Sequence, residues 1–224
     1  ISEGLVGSEM CIRDSKNIDA KKSVIFIVIL IFLDQLVKFY IKLNYPLTTY
    51  GEMPIVDLGF FKLLFIENKG MAMGARLNNL IPFLDDNTAK LILTLFRILA
   101  CLGIGVWLRN IIKNKDSQLL IICICLIFAG AVGNLIDSIF YGVIFSSSYG
   151  QVATLFPEVG YSSLFYGSVV DMIQFPLATW IWPTWLPFIG GKEYTFFEYV
   201  FNFADSYIST GVILLLVFNK KVSF

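Results

Sequence analysis

The chain has 224 residues, 57% of them hydrophobic and only 15% charged, and its 17 basic and 17 acidic residues leave no net charge. Average soluble chains are about 45–50% apolar and about 25% charged, so the balance points to lipid, and neutrality argues against nucleic acid as a partner. Histidine is absent, which removes Ser/His/Asp and Cys/His catalysis, His-ligated zinc and any HExxH protease.

The first fifteen or so residues, ISEGLVGSEMCIRDS, begin without methionine and look like neither signal nor helix. They read as a gene-boundary artefact within a tail of residues 1–22, set apart from a single four-helix membrane domain of residues 23–221. Four apolar stretches follow: Ser23–Leu43, Thr88–Leu108, Gln118–Tyr141 and Tyr199–Phe218. Each can cross a hydrocarbon core that needs about 20 helical residues. The first is too long, and lacks the small-residue exit, for a cleaved signal peptide. Cys101, Cys123 and Cys125 lie in apolar runs and Cys11 in the tail, without zinc-like or disulfide spacing, so they read as small core residues.

Lysine and arginine set the orientation. Lys16, Lys21 and Lys22 precede the first span, Arg109, Lys113 and Lys115 follow the second, and Lys220 and Lys221 follow the fourth. The long connection before the last span carries only Lys192. The positive-inside rule then puts both termini in the cytoplasm and the loops 44–87 and 142–198 outside.

Within the first outer loop, IVDLGFFKLLFIENKGMAMG (Ile55–Gly74) is rich in β-branched and aromatic residues and lacks a helical period. Short strands on the membrane surface are expected, giving an all-α membrane fold with a small β-containing outer cradle. The second loop opens softly with Ser, Tyr and Gly, then carries Trp180, Trp182 and Trp185 in TWIWPTWLPFIGG. Indole rings favour the headgroup level, so this segment is expected to dip into the outer interface; the alternative is a loop core without lipid contact.

Polar residues interrupt the spans where they are expensive. Asp34 and Lys38 are four apart with the acid first, the favourable order for an ion pair on one helical face. Asn134 and Asp137 are three apart, as are Asn202 and Asp205. Given the direction of each span, all three pairs converge near the outer leaflet; Asp205 falls roughly 9 Å below a helix start at Tyr199. A charge at a bilayer centre costs at least about 2.5–3.5 kcal/mol, so such residues face a cavity or mark function. Asp171, in SVVDMI of the second outer loop, lies in a strand or a short buried segment. Structural readings stand beside these: a packing salt bridge for Asp34–Lys38, interhelical hydrogen bonding for the asparagines, and a plain loop carboxylate for Asp171.

Without histidine, two close carboxylates are the natural activators of water. Like charges resist joint ionisation, so one pKa rises and the pair holds one proton between a base and an acid. No metal or other cofactor is required, and the carboxylates lack the nitrogen or sulfur companions of a zinc site.

FLDQLVKFYI, FIENKGMAMG, AGAVGNLIDS, SVVDMIQFP and VFNFADSYISTGV occur in this order between Lys21 and Lys221. Together they resemble the signature segments of lipoprotein signal peptidase (signal peptidase II), an aspartyl protease family of bacterial membranes. The resemblance implies that Asp171 and Asp205 form the catalytic dyad. Asn68, Asn134, Asp137, Asn202, Asp34 and Lys38 match positions that shape or brace the site. It further implies cleavage before the lipid-modified cysteine of a prolipoprotein, at the outer face of the cytoplasmic (inner) membrane, by a monomeric enzyme whose first outer loop is a cradle and lid.

This chain departs from the family at Ser138, where arginine is usual, at Met73, where an aromatic is common, and in the roughly thirty residues between Tyr141 and Asp171. Lys69 or Arg76 could supply the missing guanidinium-type support. A serine–lysine hydrolase using Lys38, a proton- or ion-conducting transporter, and a non-enzymatic assembly factor are the competing readings. A relay would spread its acids through the depth of the bundle rather than at one level.

Overall fold

The computed structural model describes residues 19–48, 53–70 and 85–218. Helix α1 spans Ala20–Asn44 and is started by Asp19, whose carboxylate accepts the Lys22 N–H at 2.8 Å. Helix α2, Asp86–Asn114, is started by Asp85, which accepts the N–H groups of Asn87 and Thr88. It ends at Lys115 in the left-handed region (φ 57°), and Ser117 then caps α3, Gln118–Ile144. Each capping oxygen satisfies a backbone donor that the first helical turn leaves free. Helix α4, Phe203–Val217, completes the set.

Three of these helices (α1, α2 and α3) are long and apolar enough to cross a membrane, with mean hydropathy of 2.4, 2.3 and 2.7 over their best windows. The fourth is apolar but has only 15 residues. Val28, Phe32 and Leu36 of α1, and Phe96, Leu99 and Leu102 of α2, point outward and exposed. A soluble protein does not leave faces of that kind open to water, and the chain is a multi-pass membrane protein.

Helix α3 is the hub, and its glycines make it so. A Cβ built on Gly130 would lie 2.2 Å from the Ala204 carbonyl oxygen, so α4 can approach only because this position has no side chain. One turn on, a Cβ at Gly133 would meet Asp34 Oδ2 at 2.7 Å. Close backbone approach through small residues is the usual packing device inside lipid. One core gathers Ile27, Leu108, Ile111, Leu120 and Ile124 around the α2–α3 turn. A second gathers Ile41, Phe65, Tyr141, Phe145, Val170 and Met172 where α1 and α3 meet a sheet.

That sheet is antiparallel, in the order β1 (Val56–Asp57), β2 (Lys62–Asn68), β3 (Val169–Gln174), β6 (Val200–Phe201). Strands β1 and β2 realise the strands expected in the first outer loop. A separate hairpin pairs β4 (Ala178–Ile181) with β5 (Glu193–Phe196), with Trp180 packed on Tyr194 at 4.9 Å between ring centroids. At its tip Trp185 and Phe188 are exposed.

The fourth apolar stretch differs from expectation. Val200–Phe201 is strand, and helix begins only at Phe203. Asn202 explains the break: its side chain accepts the Asp205 N–H while Asp205 accepts the Asn202 N–H, a reciprocal cap that sets the start of the helix. Asp205 therefore sits in the first turn, closer to the helix start than a helix from Tyr199 would have put it. The tail 1–18 and the segment 71–84, with Met73 and Arg76, lie outside the described residues.

Candidate active site

Strand β3 carries Asp171 on the face opposite Val170 and Met172, which fill the core. The strand register sets Asp171 opposite Ile66, two residues from Asn68. Asn68 Nδ2 donates to Asp171 Oδ2 at 3.0 Å, and Asn202 Nδ2 donates to Asp171 Oδ1 at 2.7 Å. The same Asn202 amide reaches Asn134 Oδ1 at 3.1 Å, and Asn134 Nδ2 donates to Asp205 Oδ1 at 2.8 Å. Asn202 thus touches both carboxylates, one through its side chain and the other through its backbone N–H, 3.2 Å from Asp205 Oδ2. Asp171 and Asn202 are buried, whereas Asp205 is half-buried.

Asp171 lies outside the spanning helices, and its carboxyl is pushed up from the ordinary 3.8 to about 7. Burial is the main cause and the Asp205 charge the second; the amides of Asn68 and Asn202 and the Lys38 ammonium oppose them. Near neutral pH this arrangement lets Asp171 keep a proton that an exposed aspartate would have lost. A protonated carboxyl and a more exposed carboxylate, linked through one asparagine, can activate water and protonate a leaving group.

Beneath these two carboxylates Lys38 is fully buried, 2.8 Å from Asp34 Oδ2 and 2.8 Å from Asp137 Oδ2, and donates to Asn134 Oδ1 at 3.0 Å. Lys38 therefore uses its three donors on three different residues and turns the Asn134 amide so that its NH2 faces Asp205. Asp34 also accepts the Ala204 N–H at 3.0 Å, and Asp137 accepts the Val170 N–H at 3.3 Å. The structure brings together all eight residues singled out in the sequence.

Sequence reasoning missed three contributors. Gln35 donates to Asp137 Oδ1 at 2.9 Å and accepts from the Tyr141 hydroxyl at 3.0 Å, locking the acids beneath the site. Its type is ordinary, and only its i+1 position to Asp34 hinted at a role. Arg97 is the larger omission, and its charge in the second apolar stretch was a usable signal. It donates to Ser138 Oγ at 2.6 Å and to the Gly70 carbonyl at 3.1 Å. The cation expected near Ser138 thus comes from α2, and not from Lys69, which is exposed. Lys42 is the third; it is buried against Glu67 and Ser148, under the rings of Phe65, Phe145 and Tyr161. It ties the extended second loop to the cradle beside Asn68.

Among the described residues, no group of His, Cys, Asp and Glu is arranged to hold a metal ion. The polar cluster has the makings of a carboxylate pair acting on water.

The family model for signal peptidase II matches residues 26–220. A lipoprotein signal peptidase of Porphyromonas gingivalis is 47% identical over 194 residues, covering 85% of this chain and 79% of its own length. That of Amoebophilus asiaticus is 34% identical over 195 residues, covering 86% and 75%. Among solved structures, a bacterial membrane enzyme determined in meso at 1.9 Å aligns with a TM-score of 0.55 and 21% identity, over 91% of this chain and 96% of that one. The last likeness concerns the fold alone. Matched along most of its length, this chain belongs to the signal peptidase II family and is a peptidase.

Proposed function

We propose that this enzyme removes the signal peptide from diacylglyceryl-modified prolipoproteins, with Asp171 and Asp205 as the catalytic pair. The observation that carries the reading is the bridge through Asn202, which hydrogen-bonds to both carboxylates and joins the more buried acid to the more open one. Asp205 as carboxylate takes a proton from water as it attacks the peptide carbonyl. Asp171 donates its proton to the carbonyl oxygen; as the gem-diol collapses, Asp205 passes the proton it took from water to the leaving nitrogen and Asp171 recovers its own from the diol hydroxyl. A low local dielectric strengthens each of these interactions. Asn68, Asn134 and Asn202 orient the pair, and Asp34, Lys38 and Asp137 brace the floor beneath it.

In this reading the shorter α4 is a fourth span, both termini are cytoplasmic, and the single domain of residues 23–221 acts as a monomer in the bacterial inner membrane. The exposed Trp185 and Phe188 at the hairpin tip rest in the outer interface. A relay reading lacks support, because the buried acids among the described residues, Asp34, Asp137 and Asp171, all belong to the one polar cluster at the site.

The test is a gel-shift cleavage assay in detergent with a lipidated prolipoprotein, its unlipidated form, and the variants Asp171→Asn and Asp205→Asn. Wild type should cut only the lipidated form. Each variant should lose about a hundredfold or more in rate while inserting normally. Full activity in either variant sinks the assignment.

A further inference from the structure

Away from the dyad, a cavity of about 230 Å³ opens between the first turns of α2, the end of β2 and the second outer loop. On the same scale a single water needs roughly 10–15 Å³, so there is room for a polyatomic group. Lys69, Asn87, Lys90, Ser162 and Tyr166 are among the residues that line it. Lys90 is only 6% exposed, and its Nζ has no hydrogen-bond partner among the described residues. An ammonium taken out of water without a partner costs several kcal/mol. Among its charged neighbours the cations Arg97 and Lys69 disfavour the ammonium, and Asp137 offsets them in part. Asp86 is the acid in the lining, and it stands on the first turn of α2.

The backbone does not supply the missing partner or a competing site. The Asn87 and Thr88 N–H groups are already bonded to Asp85, so a ligand here rests on side chains. The unpartnered ammonium favours an anion there, and the lining residues can surround it. Lys90 lies only four residues beyond Asp86, roughly 6 Å along the helix, so the cavity sits at one end of a helix long and apolar enough to cross a membrane, the level at which headgroups lie beside such a helix. Further along α2, Ile92, Phe96 and Leu99 are exposed and apolar, a surface that acyl chains can follow.

We propose that this cavity binds a phosphate group, that of a membrane phospholipid headgroup, with Lys90 and Lys69 as its cationic ligands. A phosphodiester fits the pair of lysines. The site is separate from the dyad and does not depend on the cleavage reaction.

Native mass spectrometry of the delipidated full chain tests it, with phosphatidylethanolamine, phosphatidylglycerol, diacylglycerol and inorganic phosphate titrated onto wild type, Lys90→Met and Lys90→Arg. Wild type should bind one molecule of either phospholipid about tenfold more tightly than diacylglycerol, which has the chains without the phosphate. Lys90→Met should lose that preference and Lys90→Arg should keep it, while lipidated prolipoprotein is still cut by both. Lys90-dependent binding of inorganic phosphate, with no gain for the lipids, would keep the phosphate site and shift its source to a soluble ion. Equal binding of phospholipid and diacylglycerol without phosphate binding, or an unchanged preference in Lys90→Met, overturns the proposal. Because the readout is binding, loss of this site and loss of the peptidase assignment give different results.

Discussion

Asp171 shows how the fold can make one ordinary carboxylate differ from its neighbour. Its carboxyl sits at about 7 where an exposed aspartate sits at 3.8, so the folded protein holds the proton more tightly than the unfolded chain does. The native state is therefore penalised progressively as pH rises from about 4 to about 7, and the penalty is complete above that. It amounts to about 4 kcal/mol. If the protonated carboxyl is the acid of the reaction, kcat/KM should decline tenfold per pH unit above about 7, as the proton leaves, and a pH–rate profile checks this. In Asp205→Asn the second cause of the shift is gone, so the Asp171 carboxyl stretch in an infrared titration should disappear at lower pH. Arg97 makes a separate prediction. It holds Ser138 at one end of its fork and the Gly70 carbonyl, next to Lys69 and Asn68, at the other. Losing a charged donor to such groups costs about 1.5–3 kcal/mol, so Arg97→Leu should lower kcat/KM by roughly ten- to a hundredfold. If Arg97 positions the cradle around the substrate, KM should carry most of that loss. A fall confined to kcat would instead put it at the reacting atoms. Arg97→Lys, which has no fork, should restore activity only in part.

Helices α3 and α4 meet through absence, at Gly130 and Gly133, and the site depends on that closeness because Asp205 follows directly on Ala204. Gly130→Ala would push a methyl to 2.2 Å from the Ala204 carbonyl, whereas a Cβ at Gly103 in α2 meets nothing within 4 Å. Overpacking of this kind costs about 1–3 kcal/mol, and here it also moves the first turn of α4. Gly130→Ala should therefore unfold earlier and cleave poorly. Gly103→Ala should be neutral or gain up to about 1 kcal/mol from helix propensity. Thermal unfolding in detergent, read beside the cleavage rate, separates the two. The capping box at Asn202 works at the same scale, since it halts strand β6, starts α4 and aims Asp205 in a single reciprocal pair.

Across the whole molecule, one buried cation joins the parts. Lys38 on α1 pairs with Asp137 on α3 and with Asp34, which accepts from the backbone of α4; Asp137 accepts from the backbone of β3. Removing one member of a buried ion pair costs about 3–5 kcal/mol, and Asp34→Asn leaves Lys38 its second acid, so about 3 kcal/mol is expected. Denaturation in mixed micelles should show that loss of stability, while kcat of the folded fraction stays within about threefold. A kcat loss as large as that of the dyad variants would move Asp34 from brace to chemistry.

The membrane character, three of the helices and the polar residues that matter were legible in the chain, because burying charge in an apolar stretch is costly enough to be a signal on its own. Asp34, Lys38, Asn134, Asp137, Asn202 and Asp205 stood out for that reason, and the strands near Ile55 for their β-branched and aromatic content. Asp171 stood out only through the family resemblance, since a carboxylate in a loop costs nothing until a fold buries it. Its place beside Asp205 comes from strand pairing between β2, β3 and β6, contacts between residues more than a hundred positions apart in one case. Arg97 was marked by its charge, but its meeting with Ser138, and the lack of a partner for Lys90 among the described residues, became visible only once α2 was packed against the cradle. Composition and local spacing fix which residues must escape lipid; long-range packing decides which of them meet, and so which can share a proton.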